Sequence, residues 1–268
     1  MTDHRAPSGW TGDLATSAPR SRWSRRHRAL AAIAATTLVL GIVAVLVATG
    51  VLWPNRIVAS GYTTRGVDVS AYQGAIDWDV LGAENIDFAI IKATEGSGSQ
   101  DSRFAANWAA AGETGLVLGA YHFMSFDSPG AAQAQNVIDT VPVVPGALPV
   151  TVDLEFYGDY FDAPPSRETV REILDPLLAT LEEHYGKPPI VYATPEAYDR
   201  YLTDDYAANP IWIRSVVLPP RLSDGRDWTI WQYSHRDRLP GYDGDEPFID
   251  MNVYDGSLTE LLRLTNQP

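Results

Sequence analysis

Eight short runs of apolar, β-branched or aromatic residues recur between residues 66 and 254, and their order constrains the fold more than any other feature of the chain. They read GVDVS (66–70), FAIIKAT (88–94), LVLGAYHF (116–123), LPVTVDLE (148–155), PIVYAT (189–194), PIWIRS (210–215), WTIWQY (228–233) and IDMNVY (249–254). Helix-like segments separate most of them, at 103–111, 129–139, 166–185 and 196–202. Strands that alternate with helices pair in parallel, and strands apolar along most of their length are covered on both faces. The expected fold is therefore α/β, an irregular TIM-like (β/α) barrel, with a doubly wound open sheet as the alternative. The helix expected at 166–185 has Ser166 as its N-cap and Gly186 just past its end.

The first 53 residues follow a different pattern. Arg20, Arg22, Arg25, Arg26 and Arg28 precede a run from Ala29 to Trp53 without charge or proline. As a helix this run would extend about 37 Å, enough to cross a hydrocarbon core of about 30 Å. A cleaved signal peptide is the rival reading, but its apolar region is usually only about 7–15 residues long. The expected organisation is an Arg-rich cytoplasmic tail (1–28), a single transmembrane anchor (29–53), a stalk (54–64) and a catalytic domain (65–268). Positive flanks stay in the cytoplasm, so both readings put the domain outside the cell; the expected location is the plasma membrane, single-pass.

The chain has no cysteine, which removes disulfides and thiolate chemistry. Six Arg against two acids fall in residues 1–28, so of the net −14 the rest of the chain carries −18. A nucleic-acid partner is disfavoured by that charge. No internal repeat and no Gly-rich phosphate loop opening a helix is present.

Acids within or at the ends of apolar strands are the chemical anomaly. Asp68 lies in GVDVS, Asp153 and Glu155 end LPVTVDLE, and Asp250 lies in IDMNVY. The carboxyl ends of barrel strands form the active-site face. At i, i+2 on a strand, Asp153 and Glu155 leave the same face with Cα atoms about 6.6 Å apart. Their repulsion raises one pKa, giving a proton donor beside a carboxylate, the pairing that glycosidic cleavage uses. Each acid taken singly could equally cap a helix or pair with an arginine. A divalent-metal site is a weaker reading, because His122 is the only histidine in a strand, and it reads as a core residue. No metal or cofactor is expected.

Aromatic residues accompany the acids. Tyr72, Tyr121, Phe123, Tyr192, Trp212, Trp231 and Tyr233 lie at or near strand ends, where ring faces can stack on sugars or simply fill the core. Tyr121, Tyr192 and Trp231, with Tyr72, Trp212 and the hydrogen-bonding Gln232, are the expected substrate contacts.

In order, GVDVSAYQGAIDW (66–78), FAIIKATEG (88–96), GAYHF (119–123), LPVTVDLE (148–155), IVYAT (190–194), WTIWQYS (228–234) and IDMNVYDG (249–256) resemble the motifs of glycoside hydrolase family 25 lysozymes. The resemblance covers about residues 65–268. It implies a flattened (β/α) barrel that cleaves the β-1,4 bond from N-acetylmuramic acid to N-acetylglucosamine in peptidoglycan. It also implies Glu155 as general acid, Asp153 as its partner, and Asp68 and Asp250 as further acids of the cleft. The sixth strand departs from the family pattern: Trp212-Ile213-Arg214-Ser215 puts an arginine where a small residue is usual, and Arg214 could pair with a cleft acid. The expected partners are peptidoglycan strands and the membrane, with the protein a monomer. The competing functions are a catalytically silent wall-binding protein and a hydrolase of another N-acetylated glycan.

Overall fold

The computed structural model describes residues 24–48 and 54–265. The expected tail up to residue 23 and the end of the apolar run, 49–53, lie outside the described residues. The chain divides into two units, Met1–Leu52 and Trp53–Pro268. In the first, α1 (Arg25–Ala48) is a 24-residue helix. Its segment Arg25–Val47 has a mean hydropathy of 2.7 and none of it is buried. That length and composition suit a membrane span or an export signal.

All eight expected strands are present in the second unit. They are β1 (Thr64–Val69), β2 (Phe88–Glu95), β4 (Val117–Phe123), β5 (Thr151–Leu154), β6 (Ile190–Ala193), β7 (Ile211–Arg214), β8 (Ile230–Asp237) and β9 (Ile249–Tyr254). A short β3 (Ser99–Gln100) folds back on β2. The order β1-β9-β8-β7-β6-β5-β4-β2, with β1 also pairing β2, closes an eight-stranded barrel. Pairing is parallel from β1 through β2, β4, β5, β6 and β7 to β8. Among the eight barrel strands only β9 runs the other way, antiparallel to both β8 and β1. The open-sheet alternative is thereby excluded.

Helices α3 (Trp78–Leu81), α4 (Phe104–Gly112), α5 (Gly130–Thr140), α6 (Arg167–Tyr185), α7 (Pro195–Ala197) and α8 (Leu258–Leu264) follow strands in the chain. The expected α6 starts and stops as its sequence dictates. Ser166 Oγ accepts from the Thr169 amide, and Gly186 adopts φ 76° at the end. The helix expected at 196–202 is α7 followed by a π-helical turn, Tyr198–Leu202. No helix links β7 to β8 or β8 to β9, which is the irregularity expected of the later units.

Residues 54–64, expected as a stalk, are instead part of the folded unit. Pro54–Ala59 forms helix α2, and Asn55 is fully buried, its Nδ2 donating to the Ser215 and Tyr233 carbonyls at 2.7 and 3.3 Å. Arg56 adds an ion pair to Asp237 at 2.8 Å. A polar look misled here because the polarity of Asn55 is spent on backbone acceptors inside the protein.

The strands' period of two separates two cores. Val67, Val69, Ala89, Ile91, Val152, Leu154, Val191, Ile213, Trp231 and Val253 face outward in the layer beneath the helices. Phe88, Ile90, Val117, Ile190, Tyr192, Trp212, Ile230 and Tyr254 fill the barrel. Gly66 leaves room for the Phe88 ring, which a Cβ would meet at 2.4 Å. Higher up the same inward-facing positions carry polar groups, and these build the site.

Candidate active site

Asp68, Asp153, Tyr192, Arg214, Gln232, Asp250 and Asn252 all share the inward parity of their strands. Asp68 and Asp250 are directly opposite in the β1–β9 register. Asp250 lies near the amino end of its strand, but because β9 is reversed that end sits with the carboxyl ends of the others. Asp153 is in β5 and Glu155 immediately follows it. The structure thus brings the four expected acids to one end of the barrel, lining two adjoining clefts. A cleft of about 330 Å³ holds Asp68, Asp153, Glu155 and Asp250 with Tyr72, Lys92 and Tyr121. A second, of about 650 Å³, holds Glu155 and Asp250 with Phe161, Tyr192, Arg214 and Gln232. Both volumes lie in the range of about 300–1,000 Å³ usual for ligand sites.

A hydrogen-bond relay fixes the Asp68 side. Asn252 Nδ2 donates to Asp68 Oδ2 at 2.7 Å, and Gln232 Nε2 reaches the same oxygen at 3.0 Å and Asp250 Oδ2 at 3.2 Å. Tyr192 OH donates to Gln232 Oε1 at 3.1 Å, and Trp212 Nε1 to Asn252 Oδ1 at 2.8 Å. Burial, then the charge of Asp68, pushes Asp250 up to about 9, so it stays protonated and hydrogen-bonds Asp68. Burial raises Asp68 as well, while the bonds from Asn252, Gln232 and Asp250 oppose the rise. The Asp250 proton and the amide donors of Asn252 and Gln232 thus hold the two acids in fixed positions.

The second pair is less solvated by the protein. Burial and the neighbouring Glu155 push Asp153 well above the usual carboxylate range. Burial also raises Glu155, whereas Arg214 and Lys92 pull it down. Each of the two therefore holds a proton more tightly than an ordinary carboxyl group does. The resemblance implies Glu155 as the proton donor of the pair. In the free protein the stronger upward push falls on Asp153, because its oxygen Oδ1 is buried with no hydrogen-bond partner.

Of the expected substrate contacts, Tyr72, Tyr121, Tyr192 and Gln232 line the clefts, Tyr72 being 74% exposed at the rim. Trp231 does not. Strand parity turns it away from Gln232 and into the outer core, where its Nε1 bonds the Ser215 carbonyl at 2.8 Å. Trp212 faces inward but is 2% exposed beneath the acids, where its Nε1 bonds Asn252, so it does not line either cleft. Arg214 makes no hydrogen bond or ion pair with another described residue, so the expected pairing with a cleft acid is not formed. His122 is a core histidine bonded to Thr94 Oγ1 (2.8 Å) and Gln133 Oε1 (3.0 Å), and burial lowers it to about 4.

Among the residues that escaped sequence reasoning are Phe161 and His235, which line the clefts, and Asn252, buried beneath the acids. Phe161 is 69% exposed on the wall of the larger cleft, on a turn after β5 that no periodicity announces. His235 lines both clefts from the far end of β8. Asn252 was readable, two residues beyond Asp250 on the same face. Among the described residues, no group of three or more His, Cys, Asp or Glu is arranged to hold a metal ion.

Paired carboxyl groups with raised pKa values at the mouth of a barrel, beside aromatic side chains, are the arrangement that glycosidic cleavage uses. The model of glycosyl hydrolases family 25 matches residues 67–242, and the chain belongs to that family. It is 32% identical over 223 residues to lysozyme M1 of Streptomyces globisporus, covering 75% of this chain and 71% of that protein. The structure of a family 25 glycosyl hydrolase from Bacillus anthracis superimposes with a TM-score of 0.73 at 50% identity, covering 76% of this chain and 94% of that one. A bacterial lysozyme from Streptomyces coelicolor gives 0.68 at 30% identity, covering 76% and 97%. The chain is accordingly a glycosidase of the lysozyme, or muramidase, class.

Proposed function

We propose that the protein hydrolyses the β-1,4 bond between N-acetylmuramic acid and N-acetylglucosamine in bacterial peptidoglycan, with Glu155 as general acid and base and Asp153 as its partner. The observation that carries the reading is the D-x-E pair at the end of β5, with Asp153 buried, Glu155 half-buried and both acids lining the clefts. The rings of Phe161 and Tyr192 suit sugar faces, and the family's lysozymes supply the substrate class.

The unpartnered Oδ1 of Asp153 supports a specific route. An N-acetyl N–H of the substrate donating to that oxygen stabilises Asp153 as carboxylate. With Asp153 charged, its repulsion keeps a proton on Glu155, the more accessible of the two, which delivers it to the leaving oxygen. Held by Asp153, the N-acetyl oxygen attacks the anomeric carbon as the glycosidic bond breaks. Water then opens the cyclic intermediate, Glu155 takes its proton, and the configuration is retained with no covalent bond to the protein.

Glu155→Gln keeps shape and removes the proton, so release of muropeptides from purified walls should fall about 100-fold or more with folding intact. Near-normal turnover by that variant removes Glu155 from the reaction. NMR of freshly cleaved product should give the retained anomer. An inverted anomer makes one of Asp153, Asp68 or Asp250 the base that activates water.

A further inference from the structure

Arg214 is the last residue of β7 and points into the larger cleft, half-buried. An arginine in such a place ordinarily finds a carboxylate. Here four carboxyl groups lie at the same barrel end, yet none is within 4 Å of its guanidinium, and no hydrogen bond from it to another described residue is formed. The other cation of the site differs: Lys92 Nζ is held by Glu95 at 2.7 Å and lies over the Phe123 ring at 5.0 Å. Arg214 therefore presents a planar set of five N–H donors to the cleft, a geometry that matches a carboxylate.

The acids beside it do not forbid an anion. Asp250 keeps its proton, and burial raises Asp153 and Glu155 as well, so the four carboxyl groups carry less than their full charge. Glu196, the remaining acid on that wall, is exposed, where water and salt screen it. Phe161 on the same wall offers a ring face to the sugar that would carry the anion.

We infer that Arg214 makes the larger cleft a subsite for a carboxylate borne by the muramoyl side chain of the glycan. This rests on the muramidase reading. The carboxylate has two sources. In a strand stripped of its peptides it is the lactyl carboxylate itself; in an intact strand that group is an amide, and the nearest carboxylates belong to the stem peptide.

Three substrates separate these with the full chain: peptide-free strands, intact strands, and peptide-free strands whose lactyl carboxylates have been converted to methylamides. The wild type should favour a carboxylate-bearing strand over the methylamide strand by roughly tenfold in kcat/KM, chiefly through KM, the scale of one charge-assisted hydrogen-bonded pair. Preference for the peptide-free strand identifies the lactyl group, and preference for the intact strand identifies the stem peptide. Arg214→Gln should flatten the ratio, and Arg214→Lys should restore part of it. Equal wild-type rates on all three overturn the inference. So does an Arg214→Gln variant that slows all three by one factor while its alkaline limb moves to higher pH, since that is the effect of a cation acting on Glu155 alone. Failure of the wild type to cleave any of the three overturns the muramidase reading instead.

Discussion

Asp250 holds a proton that an ordinary aspartate gives up near pH 4, and that difference is linked to folding. Its folded pKa, about 9, lies above its unfolded value. Between the two, the folded state binds a proton that the unfolded chain has released. Stability therefore falls as pH rises through this window, by at most about 1.4 kcal/mol per pH unit from this group, and levels off above the folded pKa. Asp250→Asn keeps an N–H donor for Asp68 and has no proton to lose. Its Tm advantage over wild type should widen from pH 5 to pH 8. An equal difference at both pH values would mean that Asp250 is not the protonated partner. The acids were legible in the sequence because a charge inside an apolar run has few uses. Their contacts were only half legible: Gln232 and Trp231 are adjacent in one strand, so they cannot both enter the cleft, and period two alone would have removed Trp231. Phe161 sits on a turn, where no period applies.

The elements themselves were readable where a local signal exists. Apolar runs located all eight barrel strands, and α6 was bounded by Ser166 and Gly186. The reversal of β9 was not readable, since a run such as IDMNVY has the same pattern in either direction; yet it is the reversal that sets Asp250 opposite Asp68. Helix α2 was missed because six residues give too short a window for any amphipathic period. Its anchor is Asn55, which binds the carbonyl of Ser215, the neighbour of Arg214, and that of Tyr233 in β8. Asn55→Ala leaves the buried Tyr233 carbonyl without this donor and should cost about 1–2 kcal/mol. At about 2–4 °C per kcal/mol for a domain of this size, calorimetry should register a Tm lower by several degrees. A soluble domain beginning at residue 65 should likewise melt below one beginning at residue 54. Identical melting of the two would return 54–64 to the role of a stalk.

For the whole molecule, the sequence divides its charges across a single apolar helix. Arg20, Arg22, Arg25, Arg26 and Arg28 cluster at one end of the run, while the chain beyond residue 28 carries a net −18. The 24 residues of α1 extend about 36 Å, against a hydrocarbon core of about 30 Å. A helix this long and apolar, with a mean hydropathy of 2.7 over Arg25–Val47, suits the interior of a bilayer. We propose that α1 is a retained anchor with the arginines in the cytoplasm and the barrel outside, where glycan is found. The full chain, tagged at its carboxyl end, should stay with the membranes through an alkaline carbonate wash at its full mass. Protease added to intact spheroplasts should digest the barrel. Recovery of a free protein whose first residue lies near 50 or 60 would overturn the anchor, because the run would then have acted as a cleaved signal; a barrel protected from external protease would overturn the orientation as well.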